Sequence, residues 1–196
     1  LRAAFPDACT VAELPSLAPA LPSARLLAAR SDGLPLLLLD CPALFERPGN
    51  PYLDASGADH PDNALRFGLL SRVAARLGQH GSPLGWQPDV VHVNDWQSGL
   101  APAYLHYEGG APSVITVHNI AFQGCFGHDM LAALGLPEQA WRFDGVEYYK
   151  QLSFLKAGLQ FATRLSTVSP TYAREIQTEH FGYGLAPLLR YRAAAL

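Results

Sequence analysis

The sequence predicts an α/β fold with a mainly parallel sheet, and three features carry that expectation. Two apolar β-runs, residues 90–93 and 114–117, each break off into polar side chains: Asn94-Asp95-Trp96 after the first, His118-Asn119 after the second. About two dozen residues with helical potential separate the two strand ends, roughly what a right-handed βαβ crossover needs. Elsewhere strand-like and helix-like patterns alternate without an internal repeat or a domain linker, the pattern of one α/β layer system. In open α/β sheets ligands bind at the carboxyl ends of parallel strands. The two polar pairs therefore mark a candidate site, although a helix cap and a strand-end histidine would leave the same pattern.

Taken in order, residues 34–39 form a continuous apolar run between Asp32-Gly33 and Asp40-Cys41-Pro42, which predicts a strand buried on both faces in a parallel sheet. Residues 42–61 are rich in Pro, Gly, Asn and Asp and predict a long irregular loop, a feature that in compact domains is usually functional or mobile. Asp62 is placed to cap a helix in which Leu65, Leu69, Leu70, Val73 and Leu77 recur at helical spacing, with Gly78 as its stop. Turn-forming residues at 81–88 lead into the first β-run. Asp95 can cap the helix that follows towards Tyr107, and Pro102 must fall in its first turns or kink it. Between residues 122 and 148 the signals are mixed and predict only short helices. Residues 151–164 place Leu152, Leu155, Leu159 and Ala162 on one helical face. A short strand is expected at 165–168, and Ser169-Pro170 supplies an N-cap and first-turn proline for a helix reaching Thr178.

Composition narrows the function classes. The 196 residues suffice for one domain with a sizeable core. A formal net charge of −3 and the lack of any Lys/Arg cluster leave no electrostatic footprint for nucleic acid or an anionic membrane. Arginine outnumbers lysine twelve to two, a coding bias that says nothing of function. Cys9, Cys41 and Cys125 lie far apart without a CxxC, so neither a disulfide framework nor a zinc ribbon is expected, and a reduced, cytoplasmic protein fits best. The longest apolar run is far too short to span a bilayer. The chain opens on Leu1-Arg2 without a methionine or a signal-peptide pattern, so its first residue is not expected to be the natural start.

Several catalytic signatures are absent from the sequence: GxGxxG after a strand, GxxxxGK[ST], GxSxG, HExxH, and a DxD pair for holding a metal against a nucleotide diphosphate. His92, Asp95 and His118 could approach one another if their strands are neighbours. The placement of His92 and Asp95 across a strand end nevertheless argues against a metal centre.

The residues themselves carry a resemblance. PDVVHVNDWQSGLAPAY at 88–104, TVHN at 116–119 and SFLKAGLQFATRLSTVSPTYAREIQTEHFGYGL at 153–185 closely resemble bacterial glycogen synthases, the ADP-glucose-dependent relatives of plant starch synthases. FERPGNPYLD at 45–54 and PDNALRF at 61–67 are similar to the same family, in order and with compatible spacing. The resemblance implies a Rossmann-like domain, the N-terminal half of a two-domain GT-B architecture, in a retaining hexosyltransferase. Such an enzyme moves glucose from ADP-glucose to the non-reducing 4-hydroxyl of an α-1,4-glucan, with neither metal nor other cofactor. It further implies that residues 1–196 are an incomplete acceptor-side domain, lacking the family's first strand with its Lys- and Gly-containing loop and its nucleotide-binding second domain.

Site residues follow from that likeness. His118 is expected to present its ring and backbone carbonyl to the donor glucose, and Asp95 to face the sugar pocket, cap a helix, or do both. Trp96 suits stacking on a pyranose face or core packing equally well. Gln97 and Asn119 can offer paired donors and acceptors to sugar hydroxyls, or merely stabilise a turn. His60 stands where many relatives carry a tyrosine. Asp62, Asn63, Arg66, Lys156 and Tyr172 match family positions but are expected to be structural. Two alternatives stay open: a glucan-binding remnant without catalysis, and a GT-B transferase using another nucleotide-sugar donor.

Overall fold

The computed structural model describes residues 4–196. The chain opens with an antiparallel sheet of β1 (Cys9–Leu14), β2 (Ala24–Ser31) and β3 (Leu34–Asp40), in that spatial order. The apolar run at 34–39 is therefore not a doubly buried parallel strand, and that expectation is corrected. Asp32 and Gly33, both at positive φ, form a two-residue turn. So short a connection allows only an antiparallel partner. β3 lies at the sheet edge with Leu34 and Leu37 exposed.

A short α1 (Pro42–Phe45) and the irregular loop lead to α2 (Asn63–Leu77), which ends at Gly78 as expected. Then comes the predicted crossover: β4 (Val91–Asn94), a 3-10 turn at Trp96–Ser98, α3 (Ala101–Glu108) and β5 (Ser113–Val117). Pro102 falls in the first turn of α3, where its missing N–H costs no helical bond. The two strands pair in parallel, Val93 against Ile115 and Asn94 against Thr116.

The region of mixed signals contains β6 (Cys125–Phe126), α4 (Asp129–Ala133) and β7 (Glu147–Tyr148). β8 (Gln151–Ser153) pairs antiparallel with both β6 and β7, so the helix expected from residue 151 starts three residues later, as α5 (Phe154–Phe161). Ser153 turns the chain from strand to helix: its hydroxyl accepts from Lys156 N at 3.1 Å. β9 (Arg164–Thr167) then joins β5 in parallel, giving the order β4-β5-β9. In α6 (Pro170–Glu175) the Ser169 hydroxyl accepts from Tyr172 N, the cap the sequence predicts, and α7 (Ala186–Tyr191) and a 3-10 turn at Ala193–Ala195 follow. The outcome is mixed α/β with a parallel three-stranded sheet at its centre and two small antiparallel sheets beside it.

The core lies where α2, α3 and α5 meet the parallel sheet. Leu69, Leu100, Tyr104, Ile115, Phe154 and Leu155 are fully buried there, each apolar side chain contributing about 1.5–3 kcal/mol on burial. Close approach rests on small residues: a Cβ at Gly158 would lie 2.4 Å from Ile115 Cδ1, and one at Gly99 would lie 2.3 Å from the Phe154 carbonyl oxygen. Tyr104 donates to the Leu134 carbonyl at 2.7 Å, and burial pushes its phenol well above the usual range. Among the described residues no helix is long and apolar enough to cross a membrane.

Candidate active site

Asp95 and His118 meet at the carboxyl edge of the parallel sheet, because β4 and β5 are neighbours in register. Asp95 N still continues the ladder, donating to Thr116 O at 2.9 Å. Its own backbone then turns sharply, with φ 51° and ψ −162°, close to a region that glycine alone enters freely. The turn aims the carboxylate across to β5. Oδ1 accepts from His118 N at 2.7 Å and Asn119 N at 3.3 Å, and Oδ2 accepts from His118 Nδ1 at 2.9 Å.

Asp95 is thus not a helix cap: the 3-10 turn that follows it receives no side-chain bond, and both carboxylate oxygens are used on the neighbouring strand end. A carboxylate only accepts, so Nδ1 carries a proton, and in the neutral imidazole Nε2 then bears the lone pair. Nε2 has no partner among the described residues, and the His118 side chain is half exposed. In its neutral form the pair is an oriented acceptor at the sheet edge, directly before Trp96 and Gln97, which line a cleft.

The cleft beside it encloses about 550 Å³ and is lined by Tyr52, His60, Gln97, Phe122, Gln123 and Cys125, among others. A larger depression of about 890 Å³ lies against β2, β3 and Trp86. It includes neither Trp96 nor Gln97, the residues that follow Asp95, whereas the smaller cleft is lined by both. His60 is 6% exposed and its Nε2 is a buried polar atom without a hydrogen-bond partner. A buried imidazole nitrogen left bare is costly. Gln97 lines the same wall, with its amide donating to the Tyr52 hydroxyl at 3.1 Å. Asn119 Oδ1 accepts from Ala121 N at 3.0 Å, the turn-stabilising role.

Trp96 is corrected as a stacking platform. It is 9% exposed and packed among Tyr52, Phe67, Phe126 and Phe154, with Phe67 edge-on at 4.6 Å. A Cβ at Gly124 would lie 2.3 Å from its ring. The indole is thus a core side chain that offers the cleft little more than its edge, at 9% exposure. His92 also stays apart from the site: its Nε2 bonds Thr116 Oγ1 at 2.7 Å, which in turn bonds Ser166 Oγ at 2.6 Å.

The wall bearing Tyr52 is fixed from below. Arg66 is buried and donates to Leu44 O, Pro51 O and Asn63 Oδ1, while Asn63 donates to Tyr52 O. The long loop is therefore held by the first turns of α2. Asp62 does not cap that helix but pairs with Arg47 through both oxygens at 2.7 Å. Tyr172 is structural, its hydroxyl accepting from Ile120 N at 3.0 Å. Sequence pattern alone does not single out Tyr52, Phe122, Gln123 or Cys125, since the first three lie in irregular chain and Cys125 in a two-residue strand too short to show periodicity. Burial pushes the Cys125 thiol up, opposed by a bond with Ser153.

A family model described as the starch synthase catalytic domain matches residues 7–191. The chain belongs to that family. A glycogen synthase of Dechloromonas aromatica is 78% identical over 196 residues, which is 100% of this chain and 40% of the relative. A glycogen synthase of Nitrosomonas europaea is 58% identical over 176 residues, 89% of this chain and 36% of the relative. The chain therefore spans well under half the length of these curated relatives. Among solved structures, the catalytic domain of Starch Synthase IV from Arabidopsis thaliana, bound to ADP and acarbose, superposes with a TM-score of 0.74 at 26% identity, covering 88% of this chain and 36% of that one. These likenesses bear out the α/β, GT-B-type fold expected from the sequence and the family named there.

Proposed function

We propose that this chain forms the acceptor-side wall of a glycogen synthase, in which glucose passes from ADP-glucose to the non-reducing 4-hydroxyl of an α-1,4-glucan with retention. The observation that carries this reading is the Asp95–His118 pair, locked at the carboxyl edge of β4 and β5 with the imidazole half exposed and its Nε2 without a partner among the described residues. Its support from outside is the identity to glycogen synthases over the whole chain.

Transfer builds positive charge on the anomeric carbon and negative charge on the departing diphosphate, so aligned reactants and fixed dipoles supply most of the catalysis. His118 Nε2 accepts a hydrogen bond from a hydroxyl of the donor glucose and fixes the ring's orientation. Asp95 holds the imidazole tautomer and adds negative charge near the oxocarbenium-like centre. Gln97, Asn119 and the bare His60 Nε2 meet hydroxyls of the acceptor. The second domain of the complete enzyme binds the nucleotide. A reducing, cytoplasmic setting suits the three unpaired cysteines.

A chimera tests this directly: the chain replaces the matching segment of the Dechloromonas glycogen synthase, and incorporation of labelled glucose into glycogen is measured. Transfer from ADP-glucose is expected. A folded chimera that transfers nothing, or that accepts only another nucleotide sugar, overturns the assignment.

A further inference from the structure

The strand end that carries His118 is held by side chains from several elements, one backbone group after another. β5 stops at Val117, whose carbonyl accepts from Thr167 Oγ1 of β9 at 2.6 Å. The next two amides, His118 N and Asn119 N, donate to Asp95 Oδ1. The third, Ile120 N, donates to the Tyr172 hydroxyl of α6 at 3.0 Å. Three residues on, the Gln123 side chain donates to Tyr183 O at 2.9 Å. The stretch from β9 to Tyr183 thus takes part in three of these ties, and the end of β4 contributes only Asp95.

Ile120 is 1% exposed, and a buried N–H is almost always paired. Tyr172 reaches it because Ser169 caps α6, accepting from Tyr172 N at 3.0 Å, and Pro170 fixes the first turn. The Tyr172 ring is partly buried against the core and lines neither depression described above. An imidazole is aimed by the backbone beneath it as well as by the carboxylate beside it. Asp95 sets the tautomer of His118, but the ring's direction follows the backbone between Val117 O and Ile120 N. Thr167 and Tyr172 pin that segment at its two ends. A misplacement of about 1 Å at a reacting group can cost on the order of a hundredfold in rate.

We propose that Tyr172 is a positioning residue for glucosyl transfer, acting on His118 through Ile120 N, with Thr167 as its counterpart at Val117 O. The proposal rests on the functional reading above and adds that α6, from outside the cleft, governs how His118 meets the donor. The precision of that contact matters most in the transition state, so rate responds more than substrate affinity.

The test is Tyr172→Phe, which keeps the ring and removes the hydroxyl. In the chimera, kcat should fall roughly tenfold while KM for ADP-glucose and for glycogen stays within about twofold of the parent. Nuclear magnetic resonance of isotope-labelled protein supplies a second readout on this chain. The histidine ring signals that vanish in His118→Ala should report one tautomer, protonated on Nδ1, in the parent and a mixture in Tyr172→Phe. Gln177→Ala removes a bond to Ala173 O on the same helix and controls for loss of stability; it should leave kcat and the tautomer as in the parent. Should Tyr172→Phe fail to fold, Thr167→Val carries the same test from the other end of the segment. An unchanged rate and ring signal in the folded variant overturns the proposal. An equal loss of rate in Gln177→Ala overturns it too, reducing Tyr172 to a brace. Activity lost in His118→Ala but kept in Tyr172→Phe defeats this inference alone, whereas a chimera indifferent to His118→Ala overturns the functional reading and this inference with it.

Discussion

Lys156 and the Asp95–His118 pair both lie in segments that match the family, yet they use their hydrogen-bonding capacity in opposite ways. Lys156 is buried, with its ammonium donating to the carbonyls of Phe143 at 2.5 Å and of Glu147, and lying over the Phe143 ring. Burial pulls its pKa down, opposed by Glu147 and Asp144. Its bonds tie the loop around residue 143 and β7 to α5. The Asp95–His118 pair is internally locked but leaves one nitrogen of a half-exposed ring without a partner among the described residues. A charged side chain with its bonds turned inward braces the fold, and one with capacity left over on an exposed ring is available for chemistry.

The largest break in that contrast should come from His118→Ala in the chimera, with kcat/KM falling by two or more orders of magnitude, about 3 kcal/mol of lost transition-state stabilisation. The melting temperature should stay close to the parent's, because the ring is half exposed. Near-native kinetics in the folded variant would remove His118 from the catalytic role.

Lys156→Met should do the reverse. It strands two carbonyls at a partly buried site and should cost about 2 kcal/mol of stability, read from urea midpoints on this chain. In the chimera, the molecules that remain folded should turn over normally. Intact stability with lost activity would move Lys156 into the site.

Asp95→Asn sharpens the comparison inside the pair. Asn tolerates positive φ as Asp does and can still accept from His118 N. Its amide, however, would donate to Nδ1 and shift the imidazole proton to Nε2, turning an acceptor into a donor. A small change in melting temperature with at least a roughly tenfold lower rate is expected, about 1.4 kcal/mol. Full activity would leave Asp95 as a strand clip alone.

The smallest effect concerns Asp62. Burial pushes its carboxyl up, but the bond and charge of Arg47 outweigh this and hold it below the ordinary value. A depressed folded pKa stabilises above the unfolded value near 3.9 and loses that contribution as pH falls through the folded one. The parent should therefore be more stable than Arg47→Gln at pH 5, and the gap should close under more acidic conditions. A gap independent of pH would assign Arg47 a packing role.

Much of the parallel layer was legible in the sequence because its signals are local: apolar runs ending in polar residues, Pro102 in a first turn, Ser169 before Pro170. The run at 34–39 misled because hydrophobicity reports burial but not partner direction, which the Asp32-Gly33 turn decides. β6, β7 and β8 are too short for periodicity to register, and Tyr149-Lys150 is not a pair that announces a hairpin. Asp95 and His118 could be named as site candidates from strand ends alone. The bond between them depends on register across two strands, and the bare nitrogen of His60 depends on burial, so neither could be read without coordinates. Trp96 is ambiguous in sequence because an indole suits a sugar and a core alike; four surrounding rings decide it.

The backbone at Asp95 has a consequence for laboratory evolution. Only glycine would relax φ 51° and ψ −162°, and glycine carries no carboxylate. A library selected for heat resistance alone would thus be rewarded for erasing the residue that orients His118. Stabilising this fold without disarming it requires screening for turnover in the same round, or barring position 95 from the library.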